Sequence, residues 1–499
     1  MLRDKSLEIT FLGGCDNYEN SCYYVKTPSS NILLDCGDFG FDQDTRYNKR
    51  IDLTDIDSII LSHAHLDHSN LISTFLLEND FDGLIISTKA THDLISLDLK
   101  RRRGGHFQGT IPTGQQRRIL TNFRHQSKLI EYYQPISIDS TTDVALLPAG
   151  HMLGSSQILL MHNNFQLLYT GDISPAGTLF LPGFSVNSIK QRLKEVEIQF
   201  APDFTIIEST RVLSQDDENF RDNLSNSFHQ NIQNGLINAG NILITCRPKE
   251  RAQEILYLVR LIAYKYKIVP IEIVLLGSIH ETTKVYLEYL EQLNDKIIKE
   301  IYQNMLNYPI TDQKDALKIV FGGDPQTQRE TYANGSMRIF LIPDTFITNT
   351  QTIELLILLK NDSRNQLILT GYSPQDTNAE ILLSAYNQIN NRRGLYLVDD
   401  KLRILDSSLS ERGVNEQDKF QFRLKIKKIS DFPSHGGGKE LIKFVTDLIK
   451  QNCLNYAIVH GTYKARNEFK YQINKKFPTV QLHLPKQGST LNMDVKRWI

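Results

Sequence analysis

The chain has 499 residues, with 56 Lys plus Arg against 57 Asp plus Glu, a formal net charge of -1, 40% hydrophobic residues and 23% charged ones. These values exclude a wholly disordered or collagen-like chain. They also exclude a protein that holds nucleic acid by bulk positive charge, although a local basic groove is compatible with them.

At about 150 residues per domain, the length predicts two to four domains. The five cysteines, Cys15, Cys22, Cys36, Cys246 and Cys453, are odd in number and contain no CxxC pair. A disulfide scaffold is therefore not expected, and a reducing compartment is. The first residues, MLRDKSLEIT, place no apolar stretch behind their charges, so no signal peptide is read there. No run approaches the roughly 18 to 20 apolar residues that span a membrane. The expected location is cytoplasmic, or nuclear in a eukaryote, with no membrane partner.

The first 200 residues alternate short apolar runs with turn residues. NILLD (31–35), DSIILS (57–62), FDGLIIST (81–88), DVALLPAG (143–150) and FQLLYTGD (165–172) read as strands. KATHDLISLDLK (89–100) reads as a helix. This mixture predicts an α/β or αββα layering.

From about 210 the pattern becomes strand–helix repetition. Residues 217–239 and 248–265 read as helices, and 284–306 as one long helix. Strands are expected at 241–246, 271–277, 317–323, 337–343 and 365–372, together forming a parallel-sheet unit. Short strands and helices return in 425–499: KIKKIS, KELIKFVTDLIK, YAIVHG and VQLHLP.

The densest chemical signal is His63-Ala64-His65-Leu66-Asp67-His68, directly after the apolar run SIILS. Four ligand-type side chains within six residues are costly to bury unless a metal ion pairs them. His63 and His65 are two apart, so an extended backbone aims both at one ion. Asp67 and His68 can turn to a second. His151 in AGHMLGSS and Asp172 in YTGDIS also follow apolar strands, each preceded by glycine. Asp35 in LLDCG ends a strand and can orient a ligating histidine. His460 in YAIVHG closes another strand.

These residues resemble the metallo-β-lactamase superfamily, whose HxHxDH motif matches 63–68 residue for residue. The downstream pattern is similar to the β-CASP nuclease branch, which includes ribonuclease J and the pre-mRNA 3′-end cleavage endonuclease. The resemblance implies an αββα metallo-β-lactamase fold with an inserted α/β β-CASP cap domain. The hydrolase domain would come from 1–208 and 421–499, and the cap from 209–420. It also implies the ligand set His63, His65 and His151 for one ion, with Asp67, His68 and His460 for the other. Asp172 would bridge them, and the ions would be two Zn²⁺, with Mn²⁺ the alternative. Glu208 in TIIESTR and His435 in SDFPSHGGGKEL fall on the family's acidic residue and late histidine. Supporting matches are RPKERAQEIL (247–256), LILTGYSPQDTNAEIL (367–382) and LPKQGSTLNM (484–493).

The implied reaction is attack on phosphorus by a hydroxide held between the two ions, leaving a 5′-phosphate and a 3′-hydroxyl. Asp67, Glu208 and His435 would carry the catalysis, with Glu208 and His435 handling the leaving group's proton. RNA-acting relatives typically have histidine where this chain has His460, and the DNA-repair branch typically has valine. Single-stranded RNA is thus the expected substrate, with a homodimer or an RNA-processing complex as the expected assembly. Hydrolysis of DNA or a small phosphodiester is the alternative, and a noncatalytic scaffold is a third reading.

Three departures from the family pattern stand out. LIPDTFITNTQ replaces a glycine-rich stretch, Ser434-His435-Gly436-Gly437 replaces Ser-x-His-Ala-Asp, and Ser-Thr-Arg follows Glu208. Groove cations are sought at Arg101, Arg102 and Arg103, at Arg247 and Arg251, and at Lys464 and Arg466. Phosphate contacts of this kind give affinity with little sequence choice.

Overall fold

A computed structural model describes residues 6–38, 55–78, 81–101, 113–214, 220–265, 271–296, 317–321, 337–371, 373, 377–387, 395–398, 401–404, 419–420, 423–429 and 433–494. The chain divides into two compact units. One is Met1–Asp216 with Gln292–Asn294 and Ser434–Ile499, and the other is Asp217–Glu291 with Asp295–Pro433.

The first unit is built on two seven-stranded sheets. One runs in the order Thr490–Asp494, Ser6–Phe11, Tyr23–Lys26, Asn31–Leu34, Ser58–Ile60, Leu84–Ser87 and Ser127–Leu129. The other runs Gln481–His483, Asn455–Val459, Phe204–Glu208, Phe165–Tyr169, Ser156–His162, Thr142–Pro148 and Ile136–Ser137. The returning C-terminal segment therefore supplies strands to both sheets.

Side-chain alternation decides what each face meets. Phe165, Leu167 and Tyr169 point inward and pack with Ile9, Phe11, Ile32 and Leu34 of the facing sheet. Leu168 points the other way and packs with Ile189, Leu441, Val445, Phe469 and Ile473. Those residues belong to the helices Val186–Lys194, Gly438–Ile449 and Tyr463–Lys476. On the far side, Lys89–Lys100 and Thr113–Gln126 pack on the first sheet. The layers are thus αββα. Each fully buried Leu, Ile or Phe contributes about 1.5–3 kcal/mol relative to exposure, so both sheet faces are held.

The second unit contains a six-stranded sheet in the order Leu317–Phe321, Ile271–Leu275, Arg338–Ile342, Ile242–Thr245, Gln366–Thr370 and Lys425–Ile429. Every pairing in it is parallel. Helices such as Arg251–Lys265 connect its strands, as parallel crossovers require.

Two boundaries differ from the sequence reading. The strand Lys425–Ile429, placed by sequence in the returning segment, pairs with Gln366–Thr370, and the units divide between Pro433 and Ser434. The long helix expected over 284–306 instead starts at Ile279 and ends at Glu288. Tyr289 leaves helical geometry (φ -123°, ψ 36°), is buried, and is followed by a short 3₁₀ turn at Leu290–Gln292. Asp295 and Lys296 are helical again, so the expected helix is interrupted over 289–294. Residues 297–306 of that expectation lie outside the described residues. A small antiparallel sheet of Lys401–Ile404, Leu395–Val398 and Lys419–Phe420 has no counterpart in the sequence reading. Among the described residues, no helix is long and apolar enough to cross a membrane.

Candidate metal centre

Strand direction gathers the site. Phe165–Tyr169, Phe204–Glu208 and Asn455–Val459 are mutually parallel neighbours, and in the facing sheet Asn31–Leu34 and Ser58–Ile60 are parallel. Asp35, the 63–68 run, His151, Asp172, Glu208 and His460 all lie at or just beyond strand C-terminal ends.

Sharp exits from those strands are part of the construction. Asp35 (φ 59°), Gly150 (φ 68°), Gly171 (φ 54°) and His460 (φ 48°) all occupy left-handed backbone, which disfavours L side chains. A Cβ on Gly171 would come within 2.7 Å of the Ser62 Cβ, and one on Gly150 within 2.5 Å of the Ser174 carbonyl oxygen. Glycine before His151 and before Asp172 thus serves both conformation and close packing.

Three ring nitrogens converge in one group. His65 Nδ1 lies 3.1 Å from His63 Nε2 and 3.2 Å from His151 Nε2. Asp172 Oδ2 lies 3.6 Å from the former and 3.7 Å from the latter. A second group joins Asp67, His68 and His460. Asp67 Oδ2 is 3.6 Å from His68 Nε2 and 3.5 Å from His460 Nε2. Asp172 reaches this group too, with Oδ2 3.5 Å from His68 Nε2 and Oδ1 3.3 Å from His460 Nδ1.

The far sides of His68, His63 and His151 are each held, as is usual for ligating histidines. His68 Nδ1 lies 2.6 Å from Asp35 Oδ2. The same oxygen accepts the Ser62 hydroxyl at 2.7 Å and the Tyr169 phenol at 2.6 Å, while Asp35 Oδ1 accepts the Ser62 amide at 2.7 Å. Because Ser62 donates to Asp35, its oxygen is the acceptor for His63 Nδ1 at 3.0 Å. His151 Nδ1 donates to the Ser434 carbonyl at 2.8 Å. One fully buried carboxylate thereby fixes a histidine in each group, one directly and one through a hydroxyl. Tyr169 can play its part because burial, with Asp35 beside it, pushes its phenol well above the usual range.

The donor set fits divalent cations. Burial pulls His63 and His151 well below the ordinary histidine value, so both rings are neutral with lone pairs to give. Burial acts the same way on His68, but Asp172, Asp35 and Asp67 face it and together raise it well above that value. That is a strongly negative pocket. His68 Nε2 and Asp172 Oδ1 are buried polar atoms without a hydrogen-bond partner, which a bound cation would satisfy. Mixed imidazole and carboxylate ligands suit Zn²⁺ or Mn²⁺.

Glu208 and His435 sit against this centre. Glu208 is 1% exposed and accepts the Ile173 amide at 2.7 Å and the Thr210 amide at 3.2 Å. His435 Nδ1 lies 3.0 Å from Glu208 Oε1 and 3.1 Å from Oε2. Its Nε2 points toward Asp172 Oδ2, 3.9 Å away.

The groove cations fare differently. Arg102 and Arg103 lie outside the described residues, and Arg101 is partly buried at the end of its helix. Arg247 is exposed near Glu250, whereas Arg251 is buried beside Glu254. Lys464 is exposed. Arg466 is a correction to the sequence reading. It is 2% exposed, donates to the carbonyls of Ile458 (2.9 Å) and Pro485 (2.7 Å), and pairs with Asp16. Its guanidinium ties chain segments together and does not face solvent. Arg466→Met keeps the stem but strips both carbonyls of their donor, so we expect about 2–4 kcal/mol less stability in urea unfolding. Cleavage by the folded fraction should persist.

Sequence reasoning missed the supports Ser62, Tyr169, Thr210 and Ser434. Ser62 and Thr210 adjoin or nearly adjoin motif residues and could have been suspected. Ser434 acts through its carbonyl, which side-chain identity does not signal.

Comparison with known proteins gives two domain matches. A family described as the metallo-beta-lactamase superfamily matches residues 16–214, and the Beta-Casp domain matches residues 252–382. An RNase J-like protein of Methanocaldococcus jannaschii is 26% identical over 97% of this chain and 99% of its own length. Transcription termination factor FttA of the same organism is 25% identical over 99% of this chain and 72% of its own. A crystal structure of a protein of unknown function from Enterococcus faecalis aligns with a TM-score of 0.54 at 13% identity, covering 98% of this chain and all of that one. That last likeness concerns the fold alone.

Proposed function

Since the chain belongs to the metallo-β-lactamase superfamily, in its β-CASP nuclease branch, and is a metal-dependent nuclease, we propose that it cleaves single-stranded RNA. The observation that carries this reading is the position of Asp172, grouped with His63, His65 and His151, within 3.5 Å of His68 and 3.3 Å of His460, with Glu208 and His435 beside it.

Two divalent ions, held by His63, His65 and His151 and by Asp67, His68 and His460 with Asp172 common to both, would supply Lewis acidity toward phosphate and a water of lowered pKa. The protein's own groups do the rest. Asp35, Ser62 and the Ser434 carbonyl hold the rings in one tautomer each. Burial of most of the ligands strengthens each charge interaction. Glu208 holds His435 through Nδ1, leaving Nε2 to deliver a proton to the departing oxygen. Attack at phosphorus with loss of that oxygen leaves a 5′-phosphate and a 3′-hydroxyl. Lys464, exposed near the start of the helix that follows His460, is a phosphate contact in this scheme.

RNA is preferred over DNA on two grounds: His460 stands where RNA-acting relatives typically carry histidine, and a relative matched over nearly its whole length is named RNase J-like.

The test is incubation with end-labelled single-stranded RNA and matched DNA in Mn²⁺ or Zn²⁺. We expect RNA cleavage with 5′-phosphate products, lost on chelation and restored by the ion. DNA cut at the same rate would sink the RNA preference. A protein that binds no ion and cuts neither polymer would be a scaffold.

A further inference from the structure

Thr210 lies in the segment Ser-Thr-Arg that follows Glu208, and its side chain meets His460. Three contacts converge on it. Its Oγ1 is 2.9 Å from His460 Nδ1 and 3.1 Å from the His460 carbonyl oxygen, and its amide donates to Glu208 Oε2 at 3.2 Å. The threonine hydroxyl has one proton to give; given to His460 O, which also accepts the Ser209 amide at 3.2 Å, it leaves the hydroxyl oxygen to accept from the ring, with the proton of His460 on Nδ1. Nε2 is the nitrogen that keeps a lone pair, and it faces Asp67 Oδ2 at 3.5 Å.

A second acceptor competes for the same ring proton. Asp172 Oδ1 lies 3.3 Å from His460 Nδ1. If that oxygen accepted the ring proton, a carboxylate needed for cations would be diverted to a hydrogen bond with the ring. Thr210 gives the ring a shorter partner and leaves Asp172 Oδ1 available, in keeping with the lack of a hydrogen-bond partner for that atom. The same residue's amide braces the carboxylate that holds His435.

We propose that Thr210 is a positioning residue that selects the Nδ1–H tautomer of His460 and frees Asp172, and so sets the affinity of the Asp67–His68–His460 group for its ion. This rests on reading the cluster as a two-ion centre.

The experiment uses the full chain, stripped with chelator and titrated with Zn²⁺ against a competing indicator dye. Wild type should bind two ions. Thr210→Val preserves the β-branched shape without the hydroxyl, and should weaken one ion about 10- to 100-fold while leaving the other in place, the usual scale for losing a ligand's supporting hydrogen bond. Thr210→Ser should restore wild-type binding. Two tight ions in Thr210→Val would overturn the proposal but not the two-ion reading, whereas wild type binding no ion would overturn both. Should Thr210→Val fail to fold, ¹⁵N-histidine NMR of the zinc-free wild type decides. An Nδ1–H ring at His460 supports the proposal, and an Nε2–H ring overturns it.

Discussion

Asp172→Asn is expected to abolish cleavage, by more than about 10³-fold, the scale of removing one preorganised electrostatic contributor or more. The reason is position. One oxygen of Asp172 lies 3.5–3.7 Å from the inward nitrogens of His63, His68 and His151, and the other lies 3.3 Å from His460. Burial alone would raise its pKa, but His460, His68 and His435 hold it well below the usual carboxylate range, so it stays charged. Asparagine matches its shape and supplies an NH₂ where an anion is needed. The fold should therefore survive while the charge shared by both groups is lost. A gel assay on end-labelled RNA measures the rate, and emission spectrometry of the purified variant measures the metal. Wild-type metal content with wild-type cleavage would remove Asp172 from the centre.

Much of this site was legible in the sequence because its residues cluster at strand ends. The 63–68 run sits directly after an apolar strand. His151 and Asp172 carry glycines whose left-handed backbone the turns require. What sequence could not supply was the network behind the ligands. Tyr169 reads as one more aromatic in a core strand, yet its phenol crosses from one sheet to Asp35 at the end of the central strand of the other. That contact depends on sheet packing across 134 positions of chain. Arg466 failed for a related reason. Its place shortly after His460 suggested a phosphate contact, but the helix turns it inward to carbonyls from two segments. Spacing places a cation near a site without saying which face of its helix is buried. The helix expected over 284–306 shows the same limit, since its spacing runs on through a break after Glu288 that it does not signal.

His435→Ala should lower the rate on RNA about 10²- to 10⁴-fold, the range for loss of a general acid. The bound metal should remain, because His151 is held by the backbone carbonyl of Ser434, which alanine at 435 leaves in place. Glu208→Gln should act in the same direction. It keeps the shape and an acceptor oxygen but loses the charge that orients His435 through Nδ1. The decisive control is a phosphodiester with a nitrophenolate leaving group, which departs without needing a proton. If His435 protonates the leaving oxygen, the variant should hydrolyse that ester at nearly the wild-type rate while remaining slow on RNA. If both substrates slow equally, with the metal still bound, the pair serves to position phosphate, and the proton must come from elsewhere.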